Sequence, residues 1–542
     1  MNANEPWTLP ASYAQERIWF ASQLAGDLPV YRVVSMVRAP YPLTEEAIAA
    51  GLATVVERHE SMRTCLVFRD GVLLQAIHAS VPSEVECVDV PEADYEARIE
   101  ALHRDLLAQP LALDRAPLWR AVAVRAGTRG WTVLFVAHHA IFDGTSEVNL
   151  RAELTEVYAA TAQKRDAKLP ELTIQYPDYT MWHRDRLAAG RLDELQEYWR
   201  KALAGIPSVH RLPTDRPRPA SRTFRGASVE FPVATRLSED VAALARARGA
   251  TVFMVLLAAY AALLHRMSGE DDVVVGVPVA GRDLPELQAL IGMFVNMVVL
   301  RVDTSGDPTF DELLLRVRTT TLSAWDHQDM PYQKLVEVLA ARRDPGVPPL
   351  YQLGFNYVPG GFDDDTGTAE DDMMLEVANV SGRLQYNTAL FDAATATALT
   401  SQYQTVLAAV LADPSLRLSA LPVDAVAPVP APENTTTAKA YVAPRTAAEE
   451  LVAEVWQEVL GIPQAGAFDD FFDLGGHSLL ALRVIARLDA TTGTDLPIQE
   501  FFADTTLAGV AAALERQLTQ EISEMSEEEA AARLAGGGGE PA

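Results

Sequence analysis

Apolar positions along this chain change period several times, and each change marks an element. Residues Trp131 to Ala137 read Trp-Thr-Val-Leu-Phe-Val-Ala, a run of β-formers that predicts a buried strand. From Ser146 to Tyr158, Val148, Leu150, Leu154 and Val157 recur at roughly helical spacing, which predicts a helix soon after that strand. Thr251 to Leu264 is apolar almost throughout. It is too short to span a bilayer and ends on His265 and Arg266, so it reads as a buried core helix. Val273 to Val277 is a second buried-strand candidate, followed by Pro278-Val279-Ala280-Gly281-Arg282. Strand-like and helix-like segments alternate over about 420 residues, which predicts a large α/β region.

The pattern stops at Asp424. From there to Val442 proline and threonine dominate and no apolar period survives, so this stretch reads as a semi-extended linker. Helical periods then resume. Leu451, Val452, Val455, Trp456 and Val459 form one stripe over Ala447 to Leu460, and Gly461 stops it. Leu479, Leu482, Val484, Ile485 and Leu488 repeat the stripe over Ser478 to Leu488, and Thr506 to Leu518 gives another helix. Together they predict a bundle of three to four helices. The expected layout is residues 1–180 and 181–423 as two parts of the α/β region, 424–442 as linker, 443–519 as bundle and 520–542 as an acidic tail. Within the tail, Ser526 and Glu529 fit a capping box, and Ile522, Met525 and Leu534 are apolar anchors ahead of Gly536 to Gly539. It reads either as a disordered acidic end or as a short docking helix that folds on a partner.

Composition narrows the function. A chain of 542 residues has room for two to four domains, and 49% apolar content allows large cores. A net charge of −29 argues against nucleic acid and anionic membranes as partners. Two cysteines, Cys65 and Cys87, fit a reducing, cytoplasmic setting rather than a disulfide framework. The first residues lack the basic and apolar regions of a signal peptide.

Two segments carry candidate chemistry. The first is Ala137-His138-His139-Ala140-Ile141-Phe142-Asp143-Gly144, at a strand-to-helix transition. In extended backbone, consecutive side chains point to opposite faces, so one imidazole can reach a cleft while the other is buried. That geometry suits proton transfer better than a shared metal, and no other ligand spacing is present. Asp143 reads as a turn lock through an arginine, not as a triad partner. The simpler reading is two satisfied core histidines and a turn aspartate. The second segment is Asp473-Leu474-Gly475-Gly476-His477-Ser478-Leu479, which sets a serine at a helix start. An N-cap serine is the simpler reading there.

Further segments tip both readings. Ser12 to Phe20, Arg58 to Thr64, His138 to Gly144, Tyr176 to Trp182, Ile291 to Asn296 and His327 to Tyr332 stand in an order that resembles the motifs of nonribosomal peptide synthetase condensation domains, from about Leu9 to Leu421. Tyr441 to Leu518, with Asp473 to Leu479 inside it, resembles a peptidyl carrier protein. The first resemblance implies two chloramphenicol-acetyltransferase-like lobes in a V, with a tunnel that carrier arms enter from two sides. His139 is then the base or positioning group for the attacking amine. His138, Asp143 and Gly144 maintain the site, Arg282 pairs with Asp143, and Arg63 is the runner-up partner. Thr145 departs from the pattern, since many members carry tryptophan there. Cyclising relatives replace both histidines with aspartates, so the resemblance implies amide formation. The second resemblance implies a small all-α four-helix carrier with 4′-phosphopantetheine on Ser478.

Domain order adds to this. Epimerisation domains share the His-His signature but follow their carrier, whereas here the carrier comes second. The linker has no room for an adenylation domain. The expected chain is therefore a condensation–carrier didomain of antibiotic or other natural-product biosynthesis. Its expected partners are an upstream carrier delivering the acyl donor in trans, a free-standing adenylation enzyme, a phosphopantetheinyl transferase, and a downstream synthetase or release enzyme met through the tail. Two alternatives stand beside it: release of a chain held on Ser478 onto a soluble amine or alcohol, and a catalytically silent carrier-docking scaffold.

Overall fold

A computed structural model describes residues 5–26, 28–69, 71–219, 221–339, 346–362, 365–423, 441–476, 478–494 and 496–524. The first part of the chain runs β1 (Trp7–Pro10), α1 (Tyr13–Ala25), β2 (Arg32–Ala39), α2 (Glu45–Arg58), β3 (Thr64–Arg69), β4 (Val72–Ile77) and β5 (Glu86–Asp89). It continues through α3 (Tyr95–Ala108), β6 (Trp119–Arg125), β7 (Trp131–His138) and α4 (Gly144–Gln163). The strands form a four-stranded sheet, β2-β7-β6-β5, and a three-stranded one, β1-β4-β3. Every residue of β7 is buried, as its unbroken apolar run predicts. Alternate residues serve two cores. Val133, Phe135 and Ala137 pack with Ile48, Leu52 and Val55 of α2 and Leu150 and Leu154 of α4. Leu134 and Val136 pack with Ile99, Leu102 and Leu106 of α3. Each such buried aliphatic side chain contributes about 1.5–3 kcal/mol, so the strand that ends at the histidines is firmly held.

After α5 (Tyr176–Arg186), whose Tyr176 packs into the first core, the second part holds α6 (Leu192–Ala202), β8 (Gly226–Pro232), α7 (Thr235–Ala247), α8 (Val252–Ser268), β9 (Asp272–Val279) and β10 (Asn296–Asp303). After them come α9 (Phe310–Trp325), α10 (Tyr332–Leu339), β11 (Leu353–Tyr357), β12 (Met373–Val377), β13 (Ser381–Asn387) and α11 (Ala393–Ala412). Their sheet has the order β10-β9-β11-β12-β13-β8. The apolar run at Thr251 is the core helix α8, with Thr251 accepting the Met254 N–H as N-cap and Gly269 closing it at φ 68. Strands β9 and β10 pair antiparallel from Val279 opposite Asn296. The connection between them, residues 280–295, leaves this sheet and packs into the other core through Leu287, Leu290, Ile291, Met293 and Phe294. Ser61 Oγ donates to Ile291 O at 2.7 Å and Asn149 Nδ2 to Leu290 O at 3.0 Å, so the loop is bonded to the first part of the chain.

The smaller unit contains α12 (Ala447–Leu460), α13 (Ser478–Thr492), α14 (Ile498–Ala503) and α15 (Leu507–Glu524). Gly461 ends α12 at φ 66. Val452, Trp456, Phe471, Val484, Leu488, Phe501, Val510 and Leu514 form its core. Helix α15 runs past Leu518, where the apolar stripe ends, and takes in Ile522, which is exposed. Thr494 Oγ1 donates to Glu521 at 3.1 Å and fastens this added turn to the bundle. Linker residues 424–440, Met525, Ser526, Glu529, Leu534 and the four glycines lie outside the described residues. Cys65 and Cys87 are free thiols. Among the described residues, no single helix is long and apolar enough to cross a membrane.

Candidate active site

Strand β7 ends on His138, and the next four residues turn toward α4. Ile141 N–H donates to His138 O (3.1 Å) and Phe142 N–H to His139 O (3.3 Å). The His138 ring is buried, and its Nδ1 accepts the Ala140 N–H at 3.1 Å. The ring proton therefore belongs on Nε2, which faces Ser22 Oγ at 3.4 Å. Burial, then His139 and Arg32, push its pKa down to about 3, so His138 is a neutral structural ring. His139 is partly exposed. Its backbone N–H donates to Tyr31 O at 2.7 Å, and its Nδ1 is buried with no hydrogen-bond partner among the described residues. Among the described residues, no carboxylate is bonded to this imidazole.

Asp143 has other work. It is the N-cap of α4 and fully buried. Its Oδ1 accepts from Ser146 N (2.8 Å), Ser146 Oγ (2.8 Å) and Arg282 Nη2 (2.9 Å), and its Oδ2 accepts from Phe294 N (3.0 Å). Arg282 also donates to Leu287 O (2.6 Å) and Leu290 O (2.8 Å), and its guanidinium lies 4.0 Å from the centre of the Phe294 ring. Gly292 N–H donates to Ser146 Oγ at 3.0 Å. The pair thus ties the start of α4 to the 280–295 loop. Arg63, the runner-up partner, lies elsewhere: its Nη1 donates to His78 O and, at 3.2 Å, to Ala79 O. It ends a short 3₁₀ turn, Glu60–Arg63, that leads into β3, and those carbonyls follow the paired strand β4.

Asp143→Ala should therefore melt at a lower temperature than the parent. It strands a guanidinium whose side chain is 1% exposed, and breaking a buried pair in this way typically costs ~3–5 kcal/mol. Arg282→Ala should show a similar fall. Thermal unfolding of both variants at the parental midpoint would show that the pair does not hold the fold.

Two supports went unread in the sequence. Ser146 shares the Asp143 cap, and Asp-x-x-Ser ahead of a helical period was a usable N-cap signal. Ser12 and Gln15 form a capping box at α1, and Gln15 Nε2 reaches on to Ala140 O at 3.1 Å. Ser12 Oγ meets Tyr176 OH at 2.7 Å, and that hydroxyl donates to Met293 O at 2.7 Å, a contact no local pattern announces.

In the smaller unit, Ser478 is the first residue of α13. The turn before it is tight: Gly475 has φ 91, and a Cβ at Gly476 would sit 2.4 Å from the Phe471 ring and 2.5 Å from Phe471 O. Glycine is required at both positions, and the turn delivers residue 478 to the positive end of a helix dipole, where a phosphodiester is favoured.

Residues 7–424 match the condensation-domain family model, and residues 450–514 match the phosphopantetheine attachment site model. One component of the linear gramicidin synthase of Brevibacillus parabrevis is 37% identical over 438 residues, 76% of this chain and 6% of that protein. Phosphinothricin tripeptide synthetase PhsC of Streptomyces viridochromogenes is 36% identical over 436 residues, 77% of this chain and 40% of that protein. The chain thus spans less than half the length of these relatives. The X-domain from teicoplanin biosynthesis has a similar structure, with a TM-score of 0.67 at 27% identity over 77% of this chain and 98% of that one.

Proposed function

The chain belongs to the condensation-domain family, acyltransferases of nonribosomal peptide synthesis, and carries a phosphopantetheine attachment domain; from that premise we propose that it joins an acyl or peptidyl thioester, delivered by an upstream carrier in trans, to an amine held on its own Ser478 arm. The observation that carries this reading is His139, a partly exposed imidazole on a turn braced by the buried Asp143–Arg282 pair. When bound to Ser478, 4′-phosphopantetheine supplies a flexible thiol that carries the substrate as a thioester. The amine nitrogen attacks the donor carbonyl, a C–N bond forms, the C–S bond breaks, and the thiolate leaves on the donor carrier. The amine's proton must be lost in this step.

His139 is the group nearest that task. The ring acts on the amine as base or as positioning group, and the proton passes on to the departing thiolate or to water. His138 and Asp143 keep the turn in place. A free-standing adenylating enzyme, a phosphopantetheinyl transferase and a downstream synthetase or release enzyme complete the expected partners.

A second reading, a condensation fold that docks a partner without turnover, draws support from likeness to the X-domain, which has been solved as a complex with OxyB. One experiment separates the readings. The phosphopantetheinylated, aminoacyl-loaded chain is mixed with an acyl-loaded donor carrier and followed by intact-protein mass spectrometry in a single turnover. A product mass on this chain supports condensation. Donor binding without a mass change supports the docking scaffold. An acyl group lost from Ser478 to a soluble amine or alcohol supports chain release.

Gly144 offers a second test. A Cβ added there would meet no atom within 4 Å, and its backbone is not left-handed, so the fold does not demand glycine. Gly144→Val should keep its melting temperature and arm attachment yet condense of order 10²-fold more slowly, because displacement of reacting groups by about 1 Å costs that much. A parental rate in this variant would leave the open space without a role.

A further inference from the structure

A buried histidine outside the His139 turn completes the hold on Arg282. His59 follows the last residue of α2, and its ring is fully buried. Its Nε2 lies 3.0 Å from Oε2 of Glu153, a buried carboxylate on α4 whose Oε1 accepts from Arg58 Nε at 3.0 Å. Its Nδ1 accepts the Ile291 N–H at 3.3 Å, so the ring proton belongs on Nε2, pointing at the carboxylate. Burial holds the ring below its ordinary pKa, against the pull of Glu153, and keeps it neutral. The N–H it receives belongs to the peptide unit whose carbonyl is Leu290 O. That oxygen accepts from Arg282 Nη1 at 2.8 Å, and Arg282 Nη2 donates to Asp143 Oδ1 at 2.9 Å. One path of hydrogen bonds therefore runs from Glu153 through His59, the 290–291 peptide and Arg282 to Asp143. Both terminal carboxylates belong to α4, Asp143 as its cap, so the path closes on a single helix. Bonds in such a chain polarise one another.

We propose that His59 is a positioning residue for the Asp143–Arg282 pair and, through it, for the histidine turn: it fixes the 290–291 peptide so that the carbonyl stays aimed at the guanidinium. The link is geometric, and only its effect on rate rests on the condensation reading. Two substitutions of similar size separate the ring's two bonds. His59→Asn places a carbonyl oxygen where Nδ1 stands but does not reach Glu153. His59→Gln places an amide N–H where Nε2 stands but offers the Ile291 N–H no acceptor. A role in stability alone makes rate follow melting temperature in both; the proposal expects the two to part. In the phosphopantetheinylated full chain, His59→Gln should speed hydrogen–deuterium exchange in the peptide covering 280–295. Its single-turnover condensation rate should fall about tenfold, with unchanged KM for the donor carrier and unchanged arm attachment. His59→Asn should melt at a lower temperature yet keep the parental exchange in that peptide and the parental rate. If His59→Gln does not fold, Glu153→Gln gives the comparison. Arg58 only donates, so it holds the new amide's oxygen and leaves the NH₂ facing the ring. Nε2 must then accept, the ring proton moves to Nδ1, and the Ile291 N–H meets a donor. This variant should exchange faster and condense more slowly, as His59→Gln does. Parental exchange over 280–295 in either folded variant overturns the proposal, and so does faster exchange at an unchanged condensation rate. Faster exchange in a protein that never condenses, parent included, upholds the link and overturns the proposed function instead.

Discussion

Ser478→Ala takes up no phosphopantetheine and yields no tethered product. Incubation with coenzyme A and a phosphopantetheinyl transferase, read by intact mass, should add one arm to the parent and none to the variant. The basis is the family match over 450–514 and the placement of residue 478 at the head of α13 behind two obligatory glycines. The variant should fold, since serine-to-alanine changes at a helix start typically cost at most ~2 kcal/mol. The missing tether has a further consequence. A flexible tether presents its cargo at an effective concentration of order millimolar. A soluble aminoacyl thioester analogue supplied at that level should therefore restore part of the condensation in Ser478→Ala. An arm that still attaches to the alanine variant would sink the assignment.

His139→Ala lowers condensation by ~10²–10⁴-fold, the range of one acid–base or positioning group. The low end is expected, because an amine of pKa about 8 is already partly neutral at working pH. Folding and arm attachment should not change. The ring makes no hydrogen bond at Nδ1 among the described residues, and the backbone bond to Tyr31 survives truncation. His138→Ala should behave differently. It removes the acceptor of the Ala140 N–H from a buried site, so its melting temperature should fall along with its activity. Product formation at the parental rate by His139→Ala would falsify a role for that side chain.

Local pattern carried much of the architecture. Strand β7 was readable because every side chain from Trp131 to Ala137 suits a buried strand, and α12 because its stripe ends on a glycine that can turn left-handed. Helix α4 begins before the predicted Ser146 because Asp143 caps it, a signal present in the residues but masked by the arginine lock that Asp143 also forms. What stayed hidden depends on distant partners. Nothing near Gly226 announces that β8 pairs with β13, since the register is set across more than a hundred residues. At the site, motif order pointed to His139, Asp143 and Arg282. The arginine lock on Asp143 was legible from its place before Gly144, whereas its second task as cap of α4 was not. Tyr31 carries no motif at all, and only the folded chain brings its carbonyl to the His139 N–H.

The 280–295 loop is encoded with the second half of the large unit but bonded into the first. Asp143 and Ser146 grip its backbone, Tyr176 holds Met293 O, and His59 Nδ1 accepts the Ile291 N–H at 3.3 Å. For anyone recombining synthetases this defines which cuts are sound. A chimaera spliced near residue 180 pairs one parent's histidine turn with the other's loop, so it inherits a mismatched socket even when both halves fold. Grafting residues 280–295 together with the amino-terminal half keeps plug and socket from one ancestor. Exchange of the remaining carboxy-terminal sheet then leaves the Asp143–Arg282 lock untouched.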